Sequence, residues 1–221
     1  MKLATLALLG IPFLAPFASM QADDKATTDP AGAGEVVLAF TGGSAYTATG
    51  GICVWYPVLL GDLKPDSLFD PMPGAKNDKE HAYLIWVSDF TAGPGLETFQ
   101  TPDSPGKAFF LQLIPTGTAT IYFRPDPENR KWNDLTKRST WGDPVATFVR
   151  KAGMFLSADG GWSGTMTSTS ELVSSKPFKL NGKTFNFKDL MPNGMTCYES
   201  GSGSDIGEDE AGTCVAIGGR K

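Results

Sequence analysis

"PFKLNGKTFNF", running from Pro177 to Phe187, reads as a β-hairpin by itself. Asn181-Gly182 suits the two central positions of a type I′ turn, where φ must be positive. Two-residue closure pairs Leu180 with Lys183 and Phe178 with Phe185, which sets Phe178, Leu180, Phe185 and Phe187 on one face. Lys179, Thr184, Asn186 and Lys188 fall on the other, so one face is expected to be buried and the other wet.

The same pattern extends upstream. Between Glu35 and Phe187 the apolar segments are short, rich in Val, Ile, Thr and aromatics, and separated by Gly, Pro, Asp and Asn clusters, the punctuation of strands rather than helices. The candidate strands are "EVVLAF", "ICVWYPVLL", "AYLIWVSDF", "KAFFLQLI", "TATIYFR", "PVATFVR", "GWSGTMTSTSELV", "PFKL" and "KTFNF", with a weaker one at "TCVAI". Further hairpins are expected at "FFLQLIPTGTATIYF", turning at Pro115 to Gly117, and at "FLSADGGWSG", turning through Asp159-Gly160-Gly161. Consecutive hairpins from Lys107 to Phe187 describe an all-β antiparallel meander. Closure removes the exposed edges of such a meander, so a β-barrel is expected, with a two-sheet β-sandwich as the alternative.

"AYLIWVSDF" (82–90) is apolar on both faces and must be covered on both, by another sheet, a loop or a partner copy in a homo-oligomer. One short helix is expected near 127–138: Asp126 can cap it, Pro127 fits its first turn, and Lys137 and Arg138 suit its end. Two long segments, 61–80 and 91–107, are too rich in proline and glycine for regular structure and read as loops.

Residues 1–22 have one early base, an apolar run from Leu3 to Phe17, then small and polar residues to Ala22, the order of a secretory signal peptide. Gly10, Pro12 and Pro16 interrupt the run, which falls short of the ~20 residues of a spanning helix. No integral membrane segment is expected, and the chain reads as secreted or periplasmic. Residues 23–34 lack apolar periodicity and are expected to be a disordered lead-in to a single β domain over 35–221. Removing 1–22 takes one base, Lys2, from 19 and leaves all 24 acids, a net charge near −6 that argues against nucleic acid.

Of the three cysteines, Cys53 lies in an apolar strand-like run, whereas Cys197 and Cys214 flank a flexible Gly/Ser segment. The expected disulfide is Cys197–Cys214, with Cys53 to either partner as the alternative. The stretch between them, 198–213, carries five acids and no base and reads as a mobile acidic loop whose charges serve solubility. From Asp205 the EF-hand pattern fails at Gly207, and a calcium-binding nonapeptide occurs once and imperfectly, so no metal site is assigned and no cofactor is expected.

Catalytic signatures are missing too. The single histidine, His81, is eight residues and roughly 26 Å from Asp89, the nearest same-face carboxylate on its strand. There is no G-x-S-x-G elbow, phosphate loop or dinucleotide fingerprint, and a lone histidine does not complete a zinc site. A glycosidase needs two carboxylates about 5–9 Å apart, yet Asp89 and Glu171 are the main acids on strands, so no catalytic residue is assigned.

Trp55 and Trp86 lie in apolar strands and read as core, while Trp132, with Leu135, reads as packing the short helix onto the barrel. In "GWSGTMTSTSELV", if Trp162, Met166 and Leu172 point inward, Ser168 and Ser170 share their face and supply polar anchors for a small ligand. The opposite assignment puts these hydroxyls on an outer surface. Trp162, Met166, Ser168, Ser170 and Trp141 are therefore the candidate ligand-binding residues. The function expected is a secreted or periplasmic, non-catalytic barrel that binds a small molecule. The alternatives are a cofactor-free cyclase, isomerase or glycoside-processing enzyme using loop or barrel carboxylates, and an extracellular protein-interaction module whose partner covers 82–90.

Overall fold

Segments of this kind satisfy their backbone by pairing side by side and bury their apolar faces when the sheet closes, and most of the described residues are in strands that do so. The structure, a computed structural model, describes residues 30–47, 50–70, 81–91, 95–100, 108–126, 141–157, 163–204 and 207–218. Their strands are β1 (Val36–Thr47), β2 (Gly50–Leu60), β3 (Leu84–Thr91), β4 (Gly95–Gln100), β5 (Ala108–Leu113), β6 (Thr116–Phe123), β7 (Asp143–Ser157), β8 (Ser163–Ser175), β9 (Phe178–Leu180), β10 (Lys183–Phe185), β11 (Met195–Ser204) and β12 (Gly207–Ala216). Two single helical turns, α1 (Pro65–Leu68) and α2 (Phe187–Leu190), interrupt them.

Eight strands close an antiparallel barrel in the order β1-β2-β3-β6-β7-β8-β11-β12, with β12 returning to pair β1. Each wall strand neighbours the next in sequence, the up-and-down meander expected. The barrel rather than the sandwich is formed because the first and last strands pair along Val36↔Val215 to Ser44↔Glu208 and leave no edge between them. Residues 1–22, 23–29 and the helix expected near 127–138 lie outside the described residues. From Pro30 the chain is tied down: Ala31 is buried, and its N–H donates to the carbonyl of Leu190.

Two expectations need correction. β7 and β8 pair as a hairpin, but β5 and β6 do not turn on each other at Pro115 to Gly117. Both run along β7, with Leu113↔Met154 and Thr118↔Val149, and the intervening Ile114 N–H donates to Gly153 O at 2.9 Å. Proline's fixed φ is compatible with extended backbone, so Pro115 marks a junction within one long strand rather than a reversal. β4 takes up the register of β3, from Thr91↔Thr116 to Gly95↔Gln112. The segments read as loops also hold structure: β4 lies within 91–107, and α1 lies within 61–80, where Leu63, Leu68 and Phe69 are buried.

The Asn181-Gly182 hairpin forms in the expected register, with Lys183↔Leu180 and Phe185↔Phe178, and both turn residues have positive φ (51° and 76°). All four of its inward residues, Phe178, Leu180, Phe185 and Phe187, are buried. Its place differs from the expected one. β9 and β10 make a separate two-stranded sheet and not part of the wall. With α2 they plug one end of the barrel, against Leu60 and Phe123. Phe178 meets Phe123 at 4.9 Å between ring centroids, and Phe187 meets Phe148 at 6.2 Å. The Asn181 amide also donates to Ser67 O at 2.9 Å and ties the turn to α1.

On the outside of β2 and β3, Val54, Ile85 and Val87 are covered by Trp141 from the segment entering β7, with Tyr122 edge-on to the indole at 5.5 Å. A loop residue of the same chain therefore supplies the cover that the doubly apolar strand requires. The plug and the turn make separable contributions. Phe178→Ala is expected to cost about 3–5 kcal/mol as a cavity, whereas Gly182→Ala, whose added Cβ meets nothing within 4 Å, should cost only about 1 kcal/mol of left-handed strain. Urea unfolding of the two variants checks both the size and the order of these effects.

Candidate functional site

The stretch expected to be a mobile acidic loop, 198–213, is instead the hairpin β11–β12, a working part of the barrel wall. Cys197 stands directly opposite Cys214 and is joined to it by the expected disulfide, while Cys53 is buried and outside that bond. Strand alternation then decides where the acids go. With both cysteines facing in, Glu199 and Gly212 face each other one step along, followed by Gly201 and Glu210. Glu199 is 6% and Glu210 5% exposed, so these two acids lie inside the barrel and not in solvent.

Glu210 is held by neighbours that glycine lets through. It lies across Gly42 from Trp55, and a Cβ on Gly42 would sit 3.0 Å from the indole Cδ1. Because that Cβ is missing, the Trp55 indole reaches over and donates from Nε1 to Glu210 Oε2 at 2.7 Å. Ser44 Oγ donates to Oε1 of the same carboxyl. Two donors on the two oxygens form an acceptor-only pattern that suits a carboxylate. Glu199 is placed similarly. A Cβ on Gly212 would lie 2.7 Å from the Phe40 ring and 2.8 Å from Glu199 Cβ, so the aromatic ring and the acid share the space above one glycine.

Around this pair runs a buried polar layer of Ser44, Ser88, Arg150, Ser168 and Ser170. Arg150 donates from Nη2 to Ser88 Oγ at 3.3 Å and lies 5.5 Å above the centre of the Phe90 ring. Toward the plugged end, the layer rests on Phe40, Trp55 and Trp86, whose ring centroids are 4.7–5.0 Å apart. At the plug itself, Leu60, Phe178, Phe185, Asn186, Phe187 and Leu190 line a niche of about 10 Å³, room for roughly one water.

Met166, Ser168 and Ser170 face inward and are buried: Met166 is opposite Glu199, Ser168 opposite Cys197, and Ser170 opposite both Met195 and Arg150. Of the two assignments open for that strand, the inward one holds. Trp141 is not with them, since it packs on the outer face of the wall, and Trp162 lies outside the described residues. Glu171 is exposed and pairs with Lys151 at 2.6 Å, so it belongs to the outer surface. Sequence reasoning missed Glu199, Glu210 and Arg150. The signal for the acids was present: two opposed cysteines, counted in steps of two toward the turn, put Glu199 and Glu210 on the cysteine face.

The two carboxyls sit in unlike surroundings. Burial, and then the neighbouring Glu210, push Glu199 well above the ordinary carboxylate range, and Arg150 only partly opposes them. Among the described residues, one of its oxygens, Oε1, is buried with no hydrogen-bond partner, as is the indole Nε1 of Trp86. Among the described residues no group of three or more His, Cys, Asp or Glu is placed to hold a metal ion, and no helix is long and apolar enough to cross a membrane. Compared with family models, curated proteins and solved structures, the chain matches none.

The folded chain keeps the Glu199 proton to higher pH than the unfolded chain, whose Glu titrates near about 4.3. Its neutral form is at home below that value, and stability falls as pH rises from there toward the raised pKa. Glu199→Gln should remove that fall. Wild type and variant should unfold at similar temperatures near pH 4, with the variant increasingly the more stable by pH 8 in thermal melts across that range.

Proposed function

We propose that the protein binds a small molecule inside its barrel, at the polar layer, in a secreted or periplasmic setting. One observation carries this reading: Glu199 is buried with an oxygen that nothing in the described chain satisfies, and the buried indole N–H of Trp86 is in the same condition. Each such atom costs about 1–3 kcal/mol, and apolar side chains of similar volume would fold as well or better. Groups that make a fold worse are kept where they contact something other than the fold. Inward serines at 168 and 170, the guanidinium of Arg150 and three aromatic rings add the mixed lining of a binding site. The Cys197–Cys214 disulfide and the leader-like first 22 residues support export to an oxidising compartment.

A second reading has its own support. Glu210 accepts from two donors while burial pushes Glu199 toward its neutral form, and two buried carboxyls in such unlike surroundings suit a cofactor-free enzyme that moves protons. Native mass spectrometry of the protein purified from its own cells tests the binding reading. A small-molecule adduct is expected on the wild type and should be lost from Glu199→Leu. A bare chain, with tryptophan fluorescence unmoved by a metabolite extract of those cells, overturns it. Recovery of an added metabolite in altered form would favour the enzyme.

A further inference from the structure

The polar layer has a handedness in its hydrogen-bond chemistry. Its strongest acceptor is already engaged, since both oxygens of Glu210 are taken by Ser44 and Trp55. What remains is rich in donors. An indole N–H and a guanidinium donate only, and the serines at 168 and 170 carry hydroxyls that can turn toward an acceptor. Trp86, 4% exposed, has no acceptor for its Nε1 among the described residues, and its ring lies 4.9 Å from Phe40, which shares the space over Gly212 with Glu199. We infer that the ligand of this site is an apolar ring compound bearing an acceptor oxygen, a carbonyl or a carboxylate, that receives hydrogen bonds from the Glu199 carboxyl and Trp86 Nε1. This inference rests on the binding reading above and gives it a ligand class.

Three features agree with that chemistry. The rings of Phe40, Trp55 and Trp86 offer apolar faces beside the donors. Glu199 is held toward the acid form, in which a carboxyl donates an O–H as well as accepting. Arg150 contributes the positive charge that a carboxylate-bearing member of the class would meet, and its own place is set by Ser88 and the face of Phe90.

The test titrates the full, disulfide-intact chain with three probes on one ring system: naphthoate, acetylnaphthalene and naphthylmethylammonium. The indole N–H resonances of Trp55 and Trp86 are followed by NMR. Naphthoate and acetylnaphthalene should move the Trp86 signal and bind at least about tenfold tighter than the ammonium compound, the worth of one well-made buried hydrogen bond. Equal or tighter binding of the ammonium probe overturns the acceptor class and leaves the binding reading standing. Binding that leaves the Trp86 signal in place overturns the site. No shift with any of the three overturns the binding reading itself. Glu199→Gln keeps an N–H donor and should stay within about threefold of wild type, whereas Trp86→Phe should lose about tenfold. The wild-type comparison of probes decides the matter even if a variant does not fold.

Discussion

The antiparallel seam between β1 and β12 is the contact on which the rest of the molecule depends. It joins the two ends of a meander that would otherwise present two rows of unpaired backbone groups. Once closed, an eight-stranded wall encloses a narrow lumen, which in barrels of this size holds side chains or one small ligand. Every large inward residue then needs a small neighbour. Trp55 leans over Gly42 and Phe40 over Gly212, so the glycines of the seam set where the aromatic rings can go. The same seam carries Glu210 to a position opposite Gly42, within reach of Ser44 and Trp55. Closure, packing and the polar layer are thus consequences of one register.

Along its axis the barrel divides its tasks. One end is stopped by the β9–β10 hairpin and α2, with phenylalanines stacked on one another and on the wall. The middle is the aromatic trio of Phe40, Trp55 and Trp86. The same lumen holds the two carboxyls, Arg150 and the buried serines. Apolar burial at the plugged end provides the stability that the other half gives up by keeping charged groups out of water. The disulfide between β11 and β12 lies one inward step from Glu199 and staples the strands that bear both acids. In the chain-entropy account a loop of 17 residues contributes about 3 kcal/mol, less any strain.

Local chemistry was legible wherever a residue type leaves the backbone few choices. Asn181-Gly182 demanded its turn, the turn demanded the register, and the register set which phenylalanines were buried. The cysteine pair was legible because one candidate sat in an apolar strand and the other two bracketed a short flexible stretch. Pro115 misled because proline permits both a turn and an extended junction, and only pairing with β7 chooses between them. The acidic stretch misled for a related reason. Gly, Ser, Asp and Glu have low strand propensity, so β11 and β12 were not recognised as strands over most of their length. Their pairing with β8 and β1 outweighed that preference.

By itself, the sequence determined the all-β class, the Asn181-Gly182 hairpin with its register, and the common face of Met166, Ser168 and Ser170, because each follows from neighbours a few residues apart in period-two alternation; the cysteine pairing followed from the short flexible stretch between Cys197 and Cys214. Only the tertiary structure decided which side of the wall that face would be, that Trp141 would lie across the wall from it, and that Glu199 and Glu210 would be buried beside Arg150. The physical reason is that an acid reads as a solvated charge until something sets the direction of its strand. Here β1 and β8, distant in sequence, lock β12 and β11 in register and turn the acids inward.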